Sequence, residues 1–165
     1  MTTSAAQRPY VNIPDTISPE AQAFLRTLTD PALMPAFPEP DDIEGWQKRQ
    51  AAAEANGKAL SEPLLQRYEH TVTEARLGGV PVLDIRPGNW KDNGKVLVYT
   101  HGGAHTMFSA ASSLGRPVVA AHETGLRVIS IDYTLAPHAK YDQMSDQVVV
   151  AIQALLKDGQ RLEAR

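Results

Sequence analysis

The stretch of this sequence richest in chemistry is Thr100-His101-Gly102-Gly103-Ala104-His105, which follows directly on a short apolar run. Two adjacent glycines let a chain turn sharply and leave backbone amides unscreened by side chains. Such amides can donate to an oxyanion developing on a reacting carbonyl, where one preorganised donor is worth roughly 3 kcal/mol. Taken alone, the tripeptide fits equally well a glycine turn carrying an incidental histidine. A metal site is a further reading, since His101 and His105 stand four residues apart. The intervening glycines argue against the helix that such a pair of ligands needs, and no glutamate follows His101. No metal and no cofactor is expected.

A second segment breaks the tie. Ser130-Ile131-Asp132-Tyr133-Thr134-Leu135-Ala136-Pro137-His138 follows the next apolar run. Together with His101 to Ala104 it resembles the hormone-sensitive-lipase family of α/β-hydrolases, whose usual patterns are HGGG followed by Phe or Ala, and DYRLAPE. The likeness extends from about Val80 to Gly159, and the helical N-terminal region looks like the family's cap. The resemblance implies that the amides of Gly103 and Ala104 form about two thirds of an oxyanion hole. By the same resemblance Gly102 permits the turn and His101 braces the loop through its ring hydrogen bonds. Asp132 and Tyr133 would lie beneath the loop as support, not as catalytic groups. For Asp132 the capping of local amides is an equal alternative. His105 and Met107 would line the pocket mouth.

The sequence departs from the family pattern in three places. Ala104 stands where a third glycine is usual, which costs nothing unless φ must be positive there. Thr134 replaces the usual arginine and His138 the usual glutamate, which puts the family's loop-bracing ion pair in doubt.

An α/β-hydrolase also needs a serine on a G-x-S-x-G elbow, then an acid, then a histidine. No G-x-S-x-G occurs in this sequence, and Ser109, Ser112 and Ser113 sit in helix-forming sequence. The resemblance puts the elbow roughly ten to fifteen residues beyond Gly159, and the sequence ends at Arg165. The expectation is therefore a second polypeptide carrying the C-terminal half, or a nicked enzyme cut at an exposed loop after Arg165.

The elements that must position these loops are legible in outline. Ser18-Pro19 suits an N-cap followed by proline at the first helical position, with Ala21, Phe24, Leu25 and Leu28 on one face. Pro31, Pro35, Pro38 and Pro40 then force an extended connector. A second helix is predicted from Asp41 to Asn56, with Ile43 and Trp46 inward and Asn56-Gly57 as its C-cap; Ser61 to Tyr68 adds a short turn of helix. Residues 69–77 and 80–86 read as strands around a Gly78-Gly79 hairpin turn. Lys95–Thr100 and Arg127–Tyr133 read as strands covered on both faces, with a helix from Ser109 to Glu123 between them. The last helix, Tyr141–Lys157, carries an apolar stripe of Met144, Val148, Ala151, Ile152 and Leu155, and Gly159 ends it.

A hairpin followed by strand, helix, strand and helix opens a mixed, mostly parallel sheet. The fold class expected is α/β: the N-terminal half of an α/β-hydrolase, with residues 1–68 as a helical cap and 69–165 as an incomplete core. The sheet is expected to lie open beside the Arg127–Tyr133 strand, where the partner would pair and cover Met144, Val148 and Leu155.

Composition bounds the remaining possibilities. The 165 residues are 42% hydrophobic and 21% charged, with a net charge of −3, and show none of the basic patches that nucleic acid requires. The absence of cysteine removes disulfides, thiolate metal sites and cysteine nucleophiles. Met1 to Pro14 lacks an apolar run behind a basic start, and no stretch approaches the roughly 20 apolar residues of a membrane span. The cytoplasm is the default location.

The reading that unites these features is a carboxylic ester hydrolase acting on a small acyl ester. Phe24, Phe37 and Trp46 are candidates for the inner face of its lid, and association into a homo-oligomer is left open. The alternative is a receptor of the same fold, like the gibberellin receptors, that encloses a ligand without hydrolysing it. A third reading is a fragment whose sole business is to complement another chain.

Overall fold

The structure, a computed structural model, describes residues 11–160. Most of the opening stretch read for a leader, and the C-terminal residue Arg165, lie outside the described residues. Two compact units are present, Met1–Phe37 and Pro38–Arg165.

The first unit contains helix α1 (Pro19–Thr27) and a 3₁₀ turn (Pro31–Leu33). Ser18 caps α1 through its hydroxyl, which accepts from the Ala21 amide at 3.2 Å, and Pro19 opens the helix as the sequence predicts. Phe24 and Phe37, the aromatic lid candidates of this unit, are 64% and 59% exposed.

The second unit holds helix α2 (Ile43–Arg67), strands β1 (His70–Leu77), β2 (Val80–Pro87) and β3 (Val96–Thr100), helix α3 (Gly115–Thr124), strand β4 (Arg127–Ile131) and helix α4 (Tyr141–Lys157). The four strands form one mixed sheet in the order β1-β2-β4-β3. β1 and β2 pair antiparallel around Gly78 and Gly79, both at positive φ, which is the hairpin the sequence predicts. β2 pairs antiparallel with β4, and β4 pairs parallel with β3.

This order corrects one expectation. The Arg127–Tyr133 strand is not open at its side, because β4 lies between β2 and β3, and the edge strands are β1 and β3. The β3–α3–β4 crossover carries the chain back into the slot next to the hairpin, a choice between two neighbours that strand composition does not encode.

Alternation along β2 and β4 sends side chains to two cores. Val82, Ile129 and Ile131 pack with Met144, Ala151 and Leu155 of α4 on one face. Ile85 and Val128 pack with Val118 and Ala121 of α3 on the other. α4 spans the predicted residues, and its stripe is already covered: Met144 is 3% and Leu155 4% exposed, with Val148 partly buried. The apolar side chains left open toward β3 are instead Val98 and Val149, while the exposed Val150 lies against the Gly78 turn.

α2 also departs from expectation. It is one helix of 25 residues that runs through Gly57 and Pro63, with Asp42 as its N-cap. Gly57 is buried mid-helix, where an added Cβ would stand 3.0 Å from the Ser112 carbonyl oxygen and 3.1 Å from the Phe108 ring. The glycine allows a close approach and does not end the helix. Ile43, predicted inward, is 44% exposed. The helix docks through Leu65 near its end and through the polar Gln50, Glu54 and Ser61 before it, so a search for one apolar stripe misplaces both its inner face and its end.

The predicted Ser109–Glu123 helix is likewise shorter, since residues 110–114 form turns before α3 starts at Gly115. Asp132 holds the head of this turn, accepting from the Ala110 amide at 2.8 Å. No helix among the described residues is long and apolar enough to cross a membrane.

Candidate active site

The loops after β3 and β4 lie side by side because their strands are parallel neighbours, with Thr100 opposite Ile131. Both motif segments therefore emerge at the carboxyl ends of adjacent strands. Between them sits Tyr133, buried to 6% exposure. Its hydroxyl donates to the His101 carbonyl at 2.7 Å, and its ring stacks on His101 with centroids 4.3 Å apart. Burial, with Tyr99 and Asp132 nearby, pushes the Tyr133 phenol above its ordinary value, so it stays a neutral donor.

His101 is itself 3% exposed. Its Nδ1 lies 2.9 Å from the Gly102 carbonyl oxygen, which can only accept, so the proton sits on Nδ1. Nε2 is buried without a partner among the described residues. His105 is exposed and meets the Tyr133 ring edge-on at 5.6 Å.

The glycine loop closes on itself. The amides of Thr106 and Met107 donate to the Gly103 carbonyl at 3.0 and 3.1 Å, and the Thr106 hydroxyl donates to the same oxygen at 3.1 Å. Four residues of the loop have positive φ: Gly103 at 115°, Ala104 at 53°, His105 at 60° and Phe108 at 68°. Ala104 and His105 are the central pair of the Gly103–Thr106 turn, both left-handed as in a type I′ turn. The amides of Gly102, Gly103 and Ala104 donate to no group among the described residues.

The absent third glycine therefore carries a cost, because φ at Ala104 is positive. A non-glycine residue there loses roughly 1–2 kcal/mol relative to the right-handed region. Ala104→Gly is expected to stabilise the chain by about 1 kcal/mol. Urea unfolding checks this: the midpoint should rise with the slope unchanged, and an unmoved midpoint would refute the left-handed turn.

The departure at Thr134 is filled from elsewhere. At Thr134 the amide donates to Gln147 Oε1 at 2.8 Å and the hydroxyl accepts from Gln147 Nε2 at 3.1 Å. α4 thus anchors this loop with a neutral pair. Sequence reasoning also missed Gln50 and Glu54 of α2. Gln50 Nε2 donates to the Thr106 and Ala136 carbonyls at 3.0 and 2.8 Å. Glu54 accepts from the hydroxyls of Ser109 and Ser112 at 2.9 and 2.8 Å. The four-residue spacing of Gln50 and Glu54 was the available signal, since it puts two polar side chains on one helical face.

Two hollows flank the loop. One, of about 130 Å³, is lined by Gly57, Leu60, Leu64, Gly103, Phe108 and Arg116. The other, of about 450 Å³, is bounded by Thr100, His101, Ala104, Tyr133, Met144 and Val148. His105 lines the second, whereas Met107 lines neither and presents its carbonyl to Gly103. Trp46 donates its indole N–H to the Glu39 carbonyl at 3.0 Å and also lines neither hollow. Among the described residues no group of three or more His, Cys, Asp or Glu could hold a metal ion.

Residues 97–165 match the family model of the alpha/beta hydrolase fold. An esterase from the bacterial hormone-sensitive lipase family is similar at 26% identity and a TM-score of 0.55, over 78% of this chain and 46% of that one. This chain has the α/β-hydrolase fold. The crystal structure of esterase E25 covers 96% of this chain and 49% of its own, with a TM-score of 0.71 at 21% identity, a likeness of fold. Carboxylesterase NlhH of Mycobacterium tuberculosis is 31% identical over 130 residues, which are 78% of this chain and 39% of the relative. The α/β-hydrolase chain described here thus spans less than half the length of each of these three proteins.

Proposed function

We propose that this chain supplies the oxyanion hole and cap of a serine carboxylesterase that acts on a small acyl ester. One observation carries the reading: the amides of Gly103 and Ala104 have no partner among the described residues, in a turn held at left-handed φ between the carboxyl ends of two parallel strands. Unpartnered amides fixed in advance stabilise a developing oxyanion without reorganising during the reaction. The names of the esterase relatives support the same reaction class.

In the proposed mechanism a serine from a C-terminal segment, on this polypeptide or a second one, attacks the acyl carbonyl carbon. A histidine from the same segment takes the serine proton, and an acid orients that histidine. The carbonyl oxygen gains the negative charge and accepts from the Gly103 and Ala104 amides. Collapse expels the alcohol, protonated by the histidine, and water then hydrolyses the acyl-enzyme by the same steps. His101, Asp132 and Tyr133 shape the loop and touch no reacting atom.

The hollow of about 130 Å³ between α2 and the loop suits a short acyl group. Residues 1–68 act as the lid in this reading, with Phe24, Phe37 and Trp46 as candidates for its inner face. His105 stays a candidate for the pocket mouth, whereas Met107, which lines neither hollow, does not. The partner segment pairs along β3, and the larger hollow beside His101 and Tyr133 receives its elbow.

The 165-residue chain by itself is expected to hydrolyse p-nitrophenyl acetate no faster than buffer. Turnover should appear when a segment bearing G-x-S-x-G completes the sheet. Turnover by the pure chain, blocked by a serine-directed inhibitor, would overturn this assignment. A completed protein that binds an ester without turnover would favour the receptor-like alternative.

A further inference from the structure

We propose that Gln50 is a positioning residue of the oxyanion loop, its one side-chain amide clamping the loop after β3 to the loop after β4. The inference rests on the reading of that loop as an oxyanion hole and names what holds it in shape.

The loop is a strained device. Ala104 and His105 are consecutive non-glycine residues at left-handed φ, and Phe108 is a third. Such conformations persist only where surrounding contacts over-determine them. The bonds that converge on the Gly103 carbonyl are internal to the turn and cannot fix it against the rest of the protein. The ties to other elements are few. Ala136 N donates to the His105 carbonyl at 2.9 Å, and Gln50 Nε2 donates to Thr106 O and Ala136 O.

An NH₂ group has two hydrogens, and here each meets one carbonyl. The partners lie 56 and 86 residues away in sequence, on the two motif loops. Two acceptor partners also fix which end of the amide is nitrogen. Glu54, one turn further along α2, holds Ser109 and Ser112 just past the loop. Ser61 continues the row, donating to the Ser112 carbonyl at 2.9 Å. Gln50 is the member of this row that reaches the turn carrying the two free amides.

The test uses Gln50→Glu, which keeps shape but removes both donors, and Gln50→Lys, whose ammonium can again donate to both carbonyls. Hydrogen exchange by NMR on the 165-residue chain should show the hydrogen-bonded turn amides of Thr106 and Met107 in the glutamate variant exchanging on the order of tenfold faster, with α4 and β4 unchanged. In the enzyme completed by its nucleophile-bearing segment, kcat should fall about 10–100-fold and KM by no more than about threefold either way, with lysine recovering much of the loss. Loop exchange and kcat within about twofold of wild type would overturn the clamp. So would a loss spread over every protected amide that moves kcat and KM together, the mark of a merely structural contact. A wild-type enzyme that hydrolyses no ester would instead sink the hydrolase reading, and the exchange contrast would still decide the clamp.

Discussion

Gly103→Ala, in the completed enzyme, is expected to lose on the order of 10²–10³ in kcat, the scale of one lost oxyanion donor. Two facts produce the loss. Gly103 sits at φ 115°, a region that side chains rarely adopt, and an added Cβ would run into the Met107 carbonyl oxygen. That carbonyl is backbone and cannot swing aside, so the turn itself must move, and with it the amides of Gly103 and Ala104. A single methyl therefore displaces the donors without deleting either one. Proline at this position is a poorer probe, because its ring fixes φ near −65° and would rebuild the whole loop.

Gly102→Ala supplies the comparison, since its added methyl meets nothing within 4 Å. Its kcat should fall far less, by about tenfold at most. Circular dichroism and amide exchange check that both variants fold. If a folded Gly103→Ala enzyme keeps near-normal kcat, these amides do not hold the oxyanion.

Asp84→Ala should destabilise the chain by about 3 kcal/mol. Asp84 is 8% exposed in the middle of β2 and bonds Arg127 through both carboxylate oxygens, to Nε and Nη2 at 3.0 Å each. Arg86 Nη2 adds a third contact at 3.1 Å. Removing the carboxylate leaves two guanidinium groups beside each other, and the Arg127 side chain is 26% exposed, too little for water to replace the lost partner fully. The bridge also joins β2 to β4, the antiparallel seam between hairpin and parallel strands. Chemical unfolding of the 165-residue chain measures the effect. A cost below about 1 kcal/mol would place this pair among ordinary surface ion pairs.

The order of elements was legible because each announces itself locally. The glycine pair between two strand segments marks the hairpin, four- and three-residue apolar spacing marks α4, and Ser18-Pro19 marks the start of α1. Ser61 gave no such mark, and the spacing of Gln50 and Glu54 marked only a shared helical face, since a polar residue on a helix is usually solvated and only its partner reveals otherwise. Gly57 misled for a related reason. A glycine after asparagine looks the same in sequence whether it ends a helix or lets a neighbouring backbone approach.

By itself the sequence determined the strands, most of the helices, the α/β class and the two motif segments on which the candidate site is built, because these depend on residue type and short-range spacing. The tertiary structure decided that β4 is flanked on both sides and β3 lies open, because strand composition is the same for either neighbour. It also decided that Ala104 carries positive φ, since that angle follows from the closure of the Gly103–Thr106 turn and not from the preference of alanine. And it decided what braces the loop. The partners of Thr106 and Ala136 lie on a helix more than fifty residues earlier in the chain, and only folding brings that helix to them.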